Sequence, residues 1–255
     1  MENLIAVITD FGTKDHYVGT LKATLYNNNN EAKVVDITHS VRPFDLVDAA
    51  LKLKWSYKYF PSGTVFLIAV DPDPSAELII ISTEKYYIVT PNNGIPSLML
   101  EEEPADSVYE IVADHYFIQG KGHFRGRNQL APIAAQLAKF QSPFYLGDER
   151  ELSIIKRFRI PSPKEIAPGK FECLVLDVDS FGNLILNMEN TGKLPKKAII
   201  NGVEIITASE HFKNYKKGTC FISINPEGHY QIVAYMSAAS KLLKANRGTK
   251  VILEF

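Results

Sequence analysis

A chain of 255 residues can hold one large or two modest domains with cores of their own. At 45% hydrophobic, 22% charged and a formal net charge of −1, it has the make-up of a soluble globular protein and offers nucleic acid no basic surface. No apolar stretch approaches the roughly 20 residues that cross a bilayer, so no membrane partner is expected. In chain order, LIAVITD (4–10) reads as a buried strand whose polar end presents Asp10. The stripe Tyr17, Val18, Leu21 and Leu25 predicts a helix from about 16 to 27, and AKVVDI (32–37) a second strand. Apolar positions at 44, 47, 50, 51 and 55, preceded by Pro43, predict a helix over 44–55. GTVFLIAVD (63–71) is a further buried strand ending in a carboxylate. LIIIST (78–83) and YYIVT (86–90) read as a hairpin, and 127–140 as a helix. This alternation predicts an α/β domain over residues 1–157, with helices on both faces of a mostly parallel sheet.

Residues 158–170 carry three prolines and a glycine and read as a linker. Beyond it, short strands separated by turn residues, NPEG (225–228) among them, predict a smaller β-rich domain over 171–255. The start MENLIAVITD lacks a basic region and a cleavage site, so no signal peptide and a cytoplasmic location are expected. Cys173 and Cys220 lack metal-like spacing; they read as reduced core thiols, with a disulfide as the other possibility.

Three carboxylates end strands: Asp10, Asp36 and Asp71. Ligands of open α/β sheets sit beyond the carboxyl ends of strands, so these groups could hold ribose hydroxyls, a metal or a cation. Each could equally cap the turn that follows it. In TDFGTKD (9–15), Asp15 follows Asp10 by five residues, with Gly12 permitting a tight turn between them. VDSFGN (178–183) sets an aromatic face, Phe181, beside Asp179 and Asn183. That set suits a flat base and a cationic tail, or simply a hairpin corner. The six histidines form no H-x-x-x-H or H-x-H pair, and no phosphate loop or dinucleotide fingerprint is present. HFRGR (123–127) concentrates His123, Arg125 and Arg127, either as a site or as a solvated basic turn.

Taken in order, TDFGTKDHYVG, VDITHSVRPFDLVDAA, FPSGTVFLIAVDP, VTPNNGIPS, GRNQLAPIAAQLAK and DVDSFGNLILN resemble the motifs of the S-adenosylmethionine hydroxide adenosyltransferases, the family that includes fluorinase and chlorinase. The resemblance spans nearly the whole chain. It implies an α/β N-terminal domain, a smaller β-rich C-terminal domain, and a homotrimer with the ligand between subunits. It implies hydrolysis of S-adenosylmethionine to adenosine and methionine, with no separate cofactor and no metal. By matching position, Asp10 would hold the ribose, Phe44 would lie against the ligand, Asp15 and Asp179 would face the methionine ammonium, and Phe181 and Asn183 would hold adenine. Phe11 and Asn93 complete the candidate substrate-binding set.

The chain departs from the family pattern at the catalytic positions. Where the family has an arginine seven residues after the strand-end aspartate, Leu78 stands. Where it has a histidine, Arg125 stands. Asn92 and Asn128 replace aspartates. The candidate catalytic set is therefore Asp71, Arg125 and His123. Arg125 could supply the cation that position 78 lacks, with His123 as a base. If 122–127 were extended, residues 123 and 125 would share one face. The alternative is a protein that binds S-adenosylmethionine or adenosine without turnover; a third possibility is a different nucleophile.

Overall fold

The computed structural model describes residues 3–71, 73–120, 124–140, 142–209 and 215–255. Its contacts divide the chain into two compact units, Met1–Arg159 and Ile160–Phe255.

The first unit is mixed α/β. Strand β1 (Leu4–Thr9) is buried along its whole length, as its unbroken apolar run requires. It pairs in parallel with β2 (Lys33–Thr38) on one side and β3 (Val65–Ala69) on the other. β3 pairs in parallel with β5 (Tyr87–Pro91). From there the direction changes. β4 (Leu78–Thr83) is antiparallel to β5, β6 (Ala105–Ile111) to β4, and β7 (Gly147–Arg150) to β6. The order is β2-β1-β3-β5-β4-β6-β7. A mostly parallel sheet was expected; only one half is parallel. The physical reason is the tight turn between β4 and β5, since so short a connection can join only antiparallel neighbours.

Helix α1 (Tyr17–Asn28) buries Leu21 and Leu25, and α3 (Ala131–Phe140) buries Ile133 and Leu137. Both pack into one core with the odd-numbered residues Ile5, Val7, Val65 and Leu67 of β1 and β3. Helix α2 (Leu46–Ser56) contacts β1 and β2. It starts two residues later than the apolar pattern suggests, because Asp45 is its N-cap: the side chain accepts the Asp48 amide. Residues 126–130, read as ordinary helix from 127, form a π turn leading into α3.

The second unit is mostly β. β8 (Lys164–Ala167) lies inside the stretch read as a linker and pairs with β9 (Lys170–Val178). β10 (Leu184–Glu189), β11 (Lys197–Ile200), β12 (Val203–Ile205), β13 (Cys220–Ile224), β14 (His229–Ala234) and β15 (Lys250–Glu254) complete the sheet in the order β12-β11-β15-β9-β10-β14-β13. A bridge between Ala208, just past β12, and Ile222 of β13 draws the two edges together, so the sheet is nearly a closed barrel. Its core holds Cys173, Val175, Leu186, Tyr230 and Ile232. Cys173 and Cys220 are free. Among the described residues no helix is long and apolar enough to cross a membrane.

Candidate active site

The ends of β1 and β3 are neighbours because the two strands pair in register, Thr9 beside Ala69. Asp10 follows the first strand. Its Oδ2 accepts a hydrogen bond from the Phe44 amide at 2.9 Å. Phe44 sits at φ +64°, a left-handed conformation that costs a non-glycine residue about 1–2 kcal/mol. Yet the residue is 68% exposed, so packing does not repay that strain. The loop is held from behind by buried Asp48, whose Oδ2 accepts the Arg42 amide at 2.9 Å. Burial raises the Asp10 pKa above its ordinary value, against the lowering effect of the Phe44 amide.

Asp71 follows β3. Arg125 Nη1 lies 3.0 Å from Asp71 Oδ2, and the two side chains are only 15% and 17% exposed. The rest of the guanidinium is also engaged. Nε donates to Gln129 Oε1 at 3.3 Å, Nη1 to the Asp73 carbonyl at 3.2 Å, and Nη2 to the Ala76 carbonyl. Those two carbonyls converge because residues 73–76 close into a turn. Asp73 Oδ1 accepts from both the amide and the hydroxyl of Ser75, and the Ala76 amide donates to the Asp73 carbonyl. Arg125 itself is helical (φ −56°, ψ −40°), so the alternation of an extended strand does not apply at this residue. Burial raises the Asp71 pKa; the Arg125 guanidinium pulls it down, and the carboxylates of Asp73 and Asp10 push it up again. Asp71 Oδ1 is buried and makes no hydrogen bond among the described residues.

These groups border one cavity of about 330 Å³. Asp10, Asp71 and Arg125 supply its polar wall, and Phe11, Phe44, Phe124 and Tyr17 its apolar wall. Phe11 and Phe124 meet edge to face at 5.0 Å, and Tyr17 closes on Phe124 at 5.3 Å. Gly126 makes the approach possible: a Cβ there would lie 3.0 Å from Ala69 Cβ and 3.0 Å from Phe11 Cζ. Phe124, Tyr17 and Gln129 were not singled out in the sequence. The first two carry a signal in retrospect: Tyr17 is an aromatic within a matched motif, and Phe124 lies in the HFRGR segment beside Arg125.

Other candidates lie elsewhere. Asp15 is exposed and does not line the cavity. Asn93 does not line it either; its amide donates to the Val70 carbonyl at 2.9 Å and so braces the backbone just before Asp71. Asp36 pairs with Lys22 and His39 at the far end of β2. His123 falls outside the described residues. Leu78 is 8% exposed, within the first unit's core. Among the described residues no group of three His, Cys, Asp or Glu could hold a metal ion.

In the second unit, Asp179, Phe181 and Asn183 share the turn between β9 and β10. Asp179 Oδ1 accepts the amides of Phe181 and Asn183 at 2.9 and 2.8 Å, and Oδ2 accepts the Asn183 side-chain amide at 2.8 Å. Gly182 sits at φ +83°, where a Cβ would fall 2.5 Å from Ala238 Cβ. The Asp and Asn thus build the corner, and the corner holds Phe181 out with 78% of its surface exposed.

A cavity at the carboxyl ends of parallel strands, with two carboxylates and a guanidinium on one wall and aromatic rings on the other, has the make-up of a small-molecule site of an α/β protein. The profile of the SAM hydroxide adenosyltransferase N-terminal domain matches residues 5–147, and that of the C-terminal domain matches residues 173–252. The chain belongs to the SAM hydroxide adenosyltransferase family. It is 30% identical to an (R)-S-adenosyl-L-methionine hydrolase of Methanocaldococcus jannaschii, over 96% of this chain and 93% of that protein. It is 24% identical to a fluorinase of an Actinoplanes species, over 74% of this chain and 72% of that one. A crystal structure of a conserved protein from Thermotoga maritima superposes with a TM-score of 0.88 at 27% identity, covering 98% of this chain and all of that one.

Proposed function

We propose that this protein hydrolyses S-adenosylmethionine to adenosine and L-methionine. Water attacks the ribose 5′ carbon, a C–O bond forms, and the C5′–S bond breaks with its electron pair passing to sulfur. Methionine leaves as a neutral thioether, and the attacking water gives up its proton to Asp71 or to solvent. The leaving group is already activated by its positive charge, so the protein's task is to orient one water in line and exclude others. The observation that carries this reading is the Arg125–Asp71 pair at the mouth of β3. It places a cation and a half-buried carboxylate together although position 78, where the family has arginine, is leucine. Asp71 acts as acceptor for the nucleophile's proton, with Arg125 fixing its orientation. His123 would serve as a second base.

Asp10 would accept the ribose hydroxyls, with Phe11 and Phe44 against the sugar and base. The exposed Phe181, with Asp179 and Asn183, would come from a second copy, in a homotrimer whose sites lie between subunits; Asp15 would help hold the methionine ammonium. Phe44 and Phe181 are both exposed and so accessible to a ligand or a second copy. A cytoplasmic location fits the free thiols. We also read the first sheet as covered on both faces, because its odd residues meet α1 and α3 while α2 also contacts β1.

Incubating the purified protein with S-adenosylmethionine, with and without chloride, and separating adenosine by chromatography tests the reading. No adenosine, together with binding by titration calorimetry, would favour the second reading: a non-catalytic binder. Leu78 and Arg125, standing where the family resemblance leads one to expect arginine and histidine, speak for it.

A further inference from the structure

The DITH segment, singled out in the sequence, has no place in the cavity wall. Yet His39 is 6% exposed and sits at the centre of a polar chain running from the protein surface to the site. Lys22 Nζ lies 2.5 Å from Asp36 Oδ2. Asp36 Oδ1 lies 3.1 Å from His39 Nε2, off the axis of a well-aligned hydrogen bond. His39 Nδ1 is 2.9 Å from the Thr9 hydroxyl, and Thr9 Oγ1 accepts the Phe11 amide at 3.3 Å. The His39 carbonyl also accepts the Gly12 amide at 2.7 Å, and the Thr9 carbonyl the Val41 amide at 3.4 Å.

The direction of every bond follows from what each group can donate. Burial alone would raise Asp36, but the bond from Lys22 and the His39 ring beside it outweigh that and hold its pKa below the ordinary value, so it is an acceptor only. Its charge draws the imidazole proton to Nε2. Nδ1 is then a bare acceptor, and the Thr9 hydroxyl must donate to it. That leaves Thr9 Oγ1 lone pairs for the Phe11 amide. The chain is polarised one way, each link strengthening the next. A nucleophilic Thr-His-Asp triad is ruled out by burial, because Thr9 has no exposed surface for a substrate to meet.

We propose that His39 is a positioning residue for the site, acting through Thr9 to fix the turn that carries Asp10 and Phe11. This rests on the reading of the cavity as the adenosyl site. His39 ties both cavity-lining loops together: its side chain and carbonyl hold 9–12, and its own segment runs on to Phe44, whose amide holds Asp10.

The test uses Thr9→Val, which keeps the shape but loses the hydroxyl, and Thr9→Ser, which restores it. Adenosine is titrated calorimetrically into the full-length wild type and both variants, and amide hydrogen exchange is followed at Phe11 and Gly12. Thr9→Val should weaken adenosine binding about tenfold and speed exchange at both amides by about the same factor, with Thr9→Ser within about twofold of wild type. Wild-type affinity and exchange in Thr9→Val, with only the melting temperature lowered, would overturn the proposal. If Thr9→Val does not fold, Asp36→Asn at the half-exposed end of the chain takes its place; it removes the charge that selects the tautomer and should weaken adenosine binding about threefold. Unchanged binding there counts against the relay. If the wild type binds no adenosine, the reading of the cavity fails, and exchange at Phe11 and Gly12 alone decides the positioning role.

Discussion

Arg125 Nη1 stands 3.0 Å from Asp71 Oδ2, joining the π turn that leads into α3 to the end of β3. The guanidinium is not a loose surface charge. Four acceptors from three segments surround it, so its position is set before any ligand arrives. Preorganised charge of this kind is effective because no reorganisation is needed at the moment of reaction.

The first prediction follows directly. Arg125→Ala should lower kcat for adenosine formation by about 100-fold or more, the range for removing one preorganised donor. Gln129→Leu removes only the Nε acceptor and should weaken kcat by a smaller factor, about tenfold, in keeping with one hydrogen bond of about 1–1.5 kcal/mol. Steady-state kinetics on both variants decide it. Equal kcat in Arg125→Ala and wild type would remove Arg125 from the mechanism.

Part of this site was legible in the sequence. The apolar runs 4–10 and 63–71 show buried strands because a strand covered by helices cannot afford polar residues, and the carboxylates at their ends follow from that. The family resemblance also pointed to Arg125 as the cation for Asp71, and the two are paired. The clamp was not, since it is made of backbone carbonyls at Asp73 and Ala76, which carry no sequence signal. Nor was the Asp10–Phe44 bond, which depends on a left-handed phenylalanine where pattern reading expects a helix. β6 and β7 escaped because their residues are mostly half-exposed or charged, so neither offers an apolar run.

The second prediction concerns pH. Burial outweighs the lowering effects of the Phe44 amide and of Arg125 and raises Asp10 and Asp71 above 3.8. For a raised carboxylate, the stability it contributes is complete below the unfolded value and is lost as pH rises through the folded one. These two groups therefore favour the folded state on mild acidification. Glu102 has the opposite sign. Burial alone would raise it, but hydrogen bonds from Lys54, Lys58 and Tyr57 bring it down to about 2, so its contribution is present above 4.5 and is lost as pH falls from there through about 2. In the proposed mechanism Asp71 must be ionised to accept a proton. The acid limb of kcat/KM should therefore lie above 3.8, and should move higher still in Arg125→Ala, where the chief lowering charge is gone. An acid limb that stays in place in that variant would separate the limb from Asp71.

The third prediction sets function against stability. Phe44 is strained at φ +64° and largely exposed. Phe44→Gly should relieve the strain and keep the amide that holds Asp10, leaving the protein as stable as wild type or more stable by about 0.5–1 kcal/mol. Adenosine affinity should nevertheless fall several-fold, because the ring is lost from the cavity wall. Thermal unfolding and calorimetry on one preparation test both halves. A variant that is less stable and binds as well would show that the ring serves packing rather than ligand.

The last prediction concerns the route back to the family pattern. Leu78 lies in the core with Ile80, Val89 and Leu130, and Asp71 already has its cation. Leu78→Arg alone would place a second guanidinium in apolar surroundings, in competition with Arg125 for the same carboxylate. A buried charge without a partner is strongly unfavourable, so this variant should lose about 3 kcal/mol or more of stability and much of its activity. Arg125→His empties the space at Asp71 and the Ala76 carbonyl. In the double variant the new arginine gains a partner, so the two changes should not add: the combined loss should be smaller than the sum by about 1–3 kcal/mol, as expected of residues sharing one partner. Denaturant unfolding of the four proteins measures that coupling, and adenosine formation by the double variant shows whether the pair of cations is interchangeable. Additive losses would mean that positions 78 and 125 address different surroundings, and that Arg125 does not stand in for the arginine missing at 78.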